Sequence, residues 1–270
     1  MAVATKLTAS KAYELNRDIE RLLDEKGINP QKYSSSEKAY IAQYSGYGGL
    51  DDKGATGKGI LYEYYTPDLI VEKMWALALK HGFKGGKVSE PSCGTGVFMR
   101  LAPHPKHVTD MQFHAYEISK YSYAIARILF PDAIIKNEFF EQRFILKNKS
   151  IGAKYKDDFD LVIGNPPYGD IKGGSGGKYF AMGEDVYSKA QNYDEYFTLR
   201  GLDMLRPNGL LVFIVGAQVA NGAKTFLMRG ETPCKSKIMA KSELADAYRL
   251  PNGVFDRTEV LSDVIVLRKK

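Results

Sequence analysis

The chain has 270 residues, 44% hydrophobic and 26% charged, enough for one large α/β domain or two small ones. No apolar run approaches the roughly 20 residues that cross a bilayer, and the first residues lack a long apolar core, so a cytoplasmic protein without membrane contact or secretory signal is expected. Cys93, Cys234 and four histidines form no metal-ligand spacing, so no metal is expected, and a net charge of +6 is compatible with a polyanionic partner without requiring one.

Residues 10–26, SKAYELNRDIERLLDEK, predict a helix capped by Ser10, with Leu15, Ile19, Leu22 and Leu23 as its apolar stripe and Gly27 at its end. Ser34 and Glu37 have the spacing of a capping box and open a second helix. Residues 45–60 hold six glycines and no periodicity, which predicts a loop. In YEYYTPDLIVEKMWALALKHG, Thr66 is placed as N-cap, Pro67 as first helical residue, and Ile70, Met74 and Leu77 as the buried positions.

From there strands and helices alternate. Apolar runs at 87–90, 112–116, 133–136, 159–163 and 210–215 predict strands, and 94–101, 119–129 and 192–206 predict helices. That rhythm predicts a mostly parallel sheet with helices on both faces. LADAYRLP and VLSDVIVLRKK, joined through Pro251–Gly253, add an antiparallel hairpin at one edge and bring the count to seven strands. Two stretches break the rhythm, the glycine-rich 169–190 and the basic 216–243, and both are too long and irregular to be simple connectors.

In an open parallel sheet, ligands bind beyond the carboxyl ends of the strands. The first strand ends in VSEPSCGTGVF, with Glu90 where it stops and Gly94 and Gly96 free to turn tightly. Taken alone, G-x-G fits a plain strand–turn–helix junction as well as a ligand loop. Glu117 stands at the tip of the next strand, where nucleoside-binding sheets place a ribose-binding acid, and Glu138 and Phe139 stand at the third. The fourth tip reads Gly164-Asn165-Pro166-Pro167-Tyr168.

This last tip has a chemical reading. An exocyclic amine on an aromatic ring is a poor nucleophile because its lone pair is delocalised into the ring. Accepting hydrogen bonds from both N–H groups localises that pair. The Asn165 side-chain oxygen and the Pro166 carbonyl are two such acceptors. Neither proline has an N–H to compete, both stiffen the loop, and the Tyr168 ring can stack on a base.

With those residues in view, the chain resembles the adenine-specific N6-amino DNA methyltransferases that use S-adenosylmethionine, above all those of phages and mobile elements. The resemblance covers about residues 60–215 and, more loosely, the last strands. It implies a Rossmann-like methyltransferase domain over 61–270 with loop insertions at 169–190 and 216–243, preceded by a helical extension and glycine-rich loop over 1–60. Thr66, the loop containing Glu90, Ser92, Gly94 and Gly96, and Glu117 with Ile118 would hold S-adenosylmethionine. Glu138 and Phe139 match an Asp-Phe pair with an acid one methylene longer. Asn165 to Tyr168 would be the catalytic tetrapeptide, with Phe197 packing against the extruded adenine beside Tyr168. YSGYGGL at 44–50 resembles a segment that precedes the fold in the mobile-element enzymes.

Duplex DNA is the implied partner, and Lys224, Arg229, Lys235 and Lys237 are the expected phosphate contacts. Nothing in the chain is large enough for a separate recognition domain, so recognition is expected to be short and loop-based, supplied by a protein partner, or lax. Methyltransferases of RNA or of protein glutamine share the tetrapeptide, and a silent nucleic-acid-binding partner subunit is the alternative from another class. The Tyr65–Pro67 segment favours the DNA enzymes.

Overall fold

The computed structural model describes residues 8–46, 65–144, 158–167, 192–216, 218–219, 223–224, 233–255 and 261–270. Helix α1 (Ala9–Lys26) is opened by Thr8, whose side chain accepts from the Lys11 amide, and is closed by Gly27 at φ 70°. Ser10 already lies inside the helix, so the cap expected there sits two residues earlier. Helix α2 (Ser35–Ile41) carries the expected capping box: Glu37 N–H donates to Ser34 Oγ at 3.2 Å and Ser34 N–H to Glu37 Oε2 at 2.9 Å.

Helix α3 (Asp68–Lys80) departs from expectation at its start. Pro67 occupies the cap position without a side-chain bond, and Thr66 lies one residue outside. The buried stripe is Val71, Met74, Trp75 and Ala78, so Ile70 and Leu77 fall on its margin. Trp75, the single tryptophan, is buried, and its Nε1 donates to the Phe98 carbonyl at 3.0 Å.

The alternating segment forms β1 (Gly86–Glu90), α4 (Val97–Arg100), β2 (Met111–Tyr116), α5 (Lys120–Leu129), β3 (Ile134–Lys136) and β4 (Phe159–Gly164). Helix α6 (Tyr193–Met204) leads into β5 (Leu205–Gly216). The two-residue strands β6 (Gln218–Val219) and β7 (Ala223–Lys224) pair with each other. Then come α7 (Pro233–Lys241), β8 (Ser242–Arg249) and β9 (Ser262–Lys269).

Seven strands form one sheet in the order β3-β2-β1-β4-β5-β9-β8. The first five neighbours are parallel, and β9 and β8 are antiparallel, as the hairpin reading requires. The basic stretch 216–243 is not wholly irregular, because α7 lies within it. Its buried residues Cys234 and Ile238 are one helical turn apart and join the core under α6, a two-residue signal too sparse to stand out in a polar sequence. Residues 169–190 lie outside the described residues.

Side chains alternate between the two faces of the sheet, as period-2 geometry demands. Val162, Leu211, Phe213, Ile265 and Leu267 face α6 and α7. Leu161, Ile163, Leu210, Val212, Ile214, Val264 and Val266 face α3. Burial on both faces explains the unbroken apolar runs of β4, β5 and β9. No described helix is long and apolar enough to cross a membrane.

The two N-terminal helices share a core with α5. Ile19, Leu23, Tyr33, Ile41 and Tyr44 pack with Ala124, Ile125 and Ile128. Lys120 Nζ donates to Asp24 at 2.6 Å and Tyr121 Oη to the other oxygen of that carboxylate at 2.9 Å, tying α5 to α1 at the surface. Ile19 is fully buried. Ile19→Ala should therefore cost about 2–5 kcal/mol in urea unfolding followed by Trp75 fluorescence. A Trp75 transition that does not move would mean that the extension unfolds apart from the sheet.

Candidate active site

The strand order reverses between β1 and β4, the switch point where open α/β sheets hold ligands. The β1–α4 turn needs its glycines. Gly94 sits at φ 54° and Gly96 at φ 89°, and a Cβ on Gly96 would come within 2.5 Å of the Phe130 ring. The Gly94 N–H donates to Glu117 Oε2 at 2.7 Å, and the Ser119 N–H donates to Oε1 of the same carboxylate at 2.7 Å. Glu117 thus fixes the glycine loop from the neighbouring tip, a role the sequence reading missed. Next to it, Ile118 is 41% exposed, an apolar side chain left at a strand tip.

Asn137 is a further residue that sequence reasoning missed. Its Nδ2 donates to the Glu117 carbonyl at 2.8 Å and to the Ile118 carbonyl at 3.2 Å, binding the third tip to the second. Beside it, Glu138 and Phe139 are half-buried, and Glu138 pairs with Lys136 at 3.4 Å.

Glu90 is the electrostatic centre of the site. It is 1% exposed, and among the described residues neither carboxyl oxygen has a hydrogen-bond partner. Burial, with a smaller contribution from the Glu117 charge, holds its carboxyl well above the usual range. Burial likewise pushes the Cys93 thiol up, with Glu90 and Glu117 adding to it, so Cys93 stays protonated and is no nucleophile. A buried acid without a partner, beside a second acid, fits a ligand that brings positive charge or donors. The described residues contain no group of three or more His, Cys, Asp and Glu side chains able to hold a metal ion.

The fourth tip meets the first. Ser92 Oγ donates to the Asn165 carbonyl at 3.2 Å, and Asn165 Nδ2 donates to Thr66 Oγ1 at 3.2 Å. Thr66 is buried, and its hydroxyl is engaged by this amide, which lies 99 residues away in sequence, rather than by a helix end. Tyr65 Oη lies 2.9 Å from Ser122 Oγ, and its ring would stand 3.4 Å from a Cβ on Gly94. Pro166 is buried and Pro167 half-buried.

Tyr168 and Arg229 lie outside the described residues, as does most of YSGYGGL. Lys224 falls in β7, and Lys235 and Lys237 on α7. Phe197 is 4% exposed and stacks on Phe140, ring centroids 4.9 Å apart, so it belongs to the core beneath the site and presents no open face.

Residues 107–234 match the family described as Eco57I restriction-modification methylase. The chain is 31% identical over 238 residues to the defense against restriction protein B of Escherichia phage P1, a match covering 87% of this chain and 9% of that protein. It is 28% identical over 215 residues to the type II methyltransferase M.TthHB8I of Thermus thermophilus, covering 76% of this chain and 44% of that one. The chain thus spans less than half the length of either relative. Among solved structures, a protein of Listeria monocytogenes assigned as a class I S-adenosylmethionine-dependent methyltransferase aligns with a TM-score of 0.58. The two are 13% identical over 97% of this chain and 79% of that one, which is a likeness of fold. Over residues 107–234 the chain is thus similar to the Eco57I restriction-modification methylases, and its fold is that of the S-adenosylmethionine-dependent methyltransferases.

Proposed function

We propose that the protein transfers a methyl group to N6 of an adenine swung out of DNA. The observation that carries this reading is the position of Asn165. It stands at the tip of β4, its backbone carbonyl accepting from Ser92 Oγ of the glycine loop and its side-chain Nδ2 donating to Thr66, near the buried acid of β1. S-adenosylmethionine, when bound, supplies an electrophilic methyl group on a sulfonium.

The glycine loop and Glu117 would hold the nucleoside part of that cofactor, with the Glu117 oxygens accepting from ribose hydroxyls and Ile118 lying along the adenine ring. Glu90 is suited to the cationic part. Asn165 Oδ1 and the Pro166 carbonyl would accept from the two N–H groups of the target amine and localise its lone pair. The methylated amine is acidic enough to lose its proton to water, so no general base is needed. Swinging the base out costs a few kcal/mol, and stacking on Tyr168 returns roughly 1–3 kcal/mol. In this reading Phe197, stacked on Phe140, acts as a backing layer for the base and not as its partner.

Duplex affinity would come from phosphate contacts by Lys224, Arg229, Lys235 and Lys237. Sequence recognition would come from a partner or from further chain of the kind that makes the P1 protein so much longer. RNA and protein glutamine are the other substrates for which the same tetrapeptide could serve.

Asn165→Ala should abolish transfer of labelled methyl to DNA while leaving cofactor binding intact. Tyr168→Phe should keep most of the activity and Tyr168→Ala lose at least tenfold, about the worth of one stacked base. If the two tyrosine variants are equally impaired, the ring does not act by stacking. Methyl appearing on RNA or protein instead of DNA would replace the substrate proposed here.

Glu90 predicts a pH dependence. Its folded-state value lies above the ordinary 4.5, so the folded protein binds the extra proton. Its contribution to stability is full below the ordinary value and is lost as pH rises through the folded one. Thermal melts of the cofactor-free protein should therefore fall from about pH 5 upward relative to Glu90→Gln. Cationic cofactor favours the ionised acid, so binding should release a proton in the wild type and none in Glu90→Gln. Calorimetry in two buffers of different ionisation enthalpy measures this directly. Equal proton release in both proteins would place the titrating group elsewhere.

A further inference from the structure

A turn built on two glycines has no side chains of its own to hold its shape, and glycine loses the most conformational freedom on being ordered. Gly94 and Gly96 lie in the left-handed region, at φ 54° and 89°. Backbone bonds hold the turn from the side of the sheet. The Cys93 N–H donates to the Tyr116 carbonyl at 3.0 Å, the Gly94 N–H to Glu117 Oε2 at 2.7 Å, and the Gly96 N–H to the Cys93 carbonyl at 2.8 Å. What lies against the two bare Cα atoms is a separate matter.

Each glycine faces an aromatic ring. The atoms nearest to a Cβ on Gly94 would be two carbons of the Tyr65 ring, at 3.4 and 3.9 Å. Those nearest to a Cβ on Gly96 would be two carbons of the Phe130 ring, at 2.5 and 2.8 Å. Both rings are attached to α5. Phe130 is its C-cap, with an N–H that donates to the Ala126 carbonyl at 2.9 Å. The Tyr65 hydroxyl lies 2.9 Å from the hydroxyl of Ser122, a fully buried residue in the first turn of that helix. The N-cap of the same helix, Ser119, gives its N–H to Glu117, which holds Gly94. Three supports of the glycine turn thus start from one helix.

We infer that Tyr65 and Phe130 are positioning residues that hold the glycine turn in its ligand-binding shape, and that α5 sets their place. The inference rests on the reading of this turn as the nucleoside end of the cofactor pocket. It separates support of the turn from contact with the methionine end or with the target base. Loss of a ring then weakens every ligand that carries adenosine by one common factor and leaves the chemical step alone.

The test uses the full chain with Tyr65→Leu and Phe130→Leu, which remove a ring and keep apolar bulk. The Kd values for S-adenosylmethionine and S-adenosylhomocysteine, by calorimetry, and for adenosine, by competition, should rise together. A rise of roughly two- to tenfold is the scale of ordering a segment that was previously held. Tyr65→Phe, which keeps the ring, should restore most of the affinity. Ser122→Ala should match Tyr65→Phe, and the two combined should do no more than either alone. The kcat for methyl transfer at saturating cofactor should stay within about twofold.

A readout that needs no ligand is hydrogen exchange of the Gly94 and Gly96 amides in protein labelled with nitrogen-15 glycine. Exchange should be slow in the wild type and faster in both leucine variants. Rings that serve only as core packing would lower the melting temperature and leave Kd and exchange unchanged, which overturns the inference. So does a rise in Kd confined to the two ligands that carry the methionine end, with adenosine unaffected. If the wild type binds none of the three ligands, the pocket reading fails, and amide exchange alone decides whether the rings hold the turn.

Discussion

Strands β1 to β4 stop pairing where the candidate site begins, and the backbone groups left there must find partners. In β1 and β4 the last paired positions are Val88 with Leu161 and Ser89 with Val162. Beyond them, side chains and backbone groups from neighbouring tips take over from the ladder. The Cys93 N–H donates to the Tyr116 carbonyl at 3.0 Å, and the Glu117 N–H to the Lys136 carbonyl at 3.0 Å. Glu117 accepts from the Gly94 N–H, Asn137 donates to the Glu117 carbonyl, and Ser92 to the Asn165 carbonyl. Four tips that end at different points are thereby tied into one surface. The residues of the candidate site are the same ones that satisfy the orphaned backbone groups at these tips.

The same tips concentrate acid. Among the described residues Glu90 is buried with no hydrogen-bond partner, the Glu117 charge holds its carboxyl further up, and both acids push the Cys93 thiol up. A carboxyl in that position destabilises the empty fold at neutral pH and is relieved by a positively charged ligand. A site of this kind prefers a sulfonium or ammonium over a neutral analogue, because part of the discrimination resides in the cost of leaving the acid alone.

The strand tips were legible because each is announced locally: an apolar run, then glycine, acid or Asn-Pro-Pro. The capping box of α2 and the alternation of strand and helix are local in the same way. What escaped is long-range. Thr66 followed by proline looks like a helix start, yet its hydroxyl answers to Asn165, and no pattern within a few residues reveals a bond spanning the sheet. Glu117 had the right position for a ribose acid, but its grip on Gly94 depends on how two turns approach each other. Phe197 is expected against the extruded base, yet its ring stacks on Phe140, a partner 57 residues away that no local pattern reveals. In each case the residue type was informative and the partner was not.

Helix α5 connects the N-terminal extension to this chemistry. One face of α5 packs on Ile19 and Leu23, through Ala124, Ile125 and Ile128. Its N-terminus begins with Ser119, whose N–H holds Glu117 and whose Oγ accepts from Ser122 N–H. Ser122 in turn bonds Tyr65. On the extension side, the fully buried Asn16 takes the Ser45 N–H on its oxygen at 3.1 Å and gives its Nδ2 to the Gly46 carbonyl at 2.5 Å. That amide imitates a strand partner for the first residues of the YSGYGGL segment, while Tyr44 bonds Glu20 at 2.8 Å. Gly46 and Tyr65, the two described residues that flank positions 47–64, are therefore both tied to the layer of α1 and α5. A displacement of α1 would be felt first at α5, then at the Glu117 carboxylate and at Tyr65. The extension is thus coupled to the Glu117 tip through packed side chains and to the Asn165 tip through Thr66. Its mechanical role, on this geometry, is to hold α5 still.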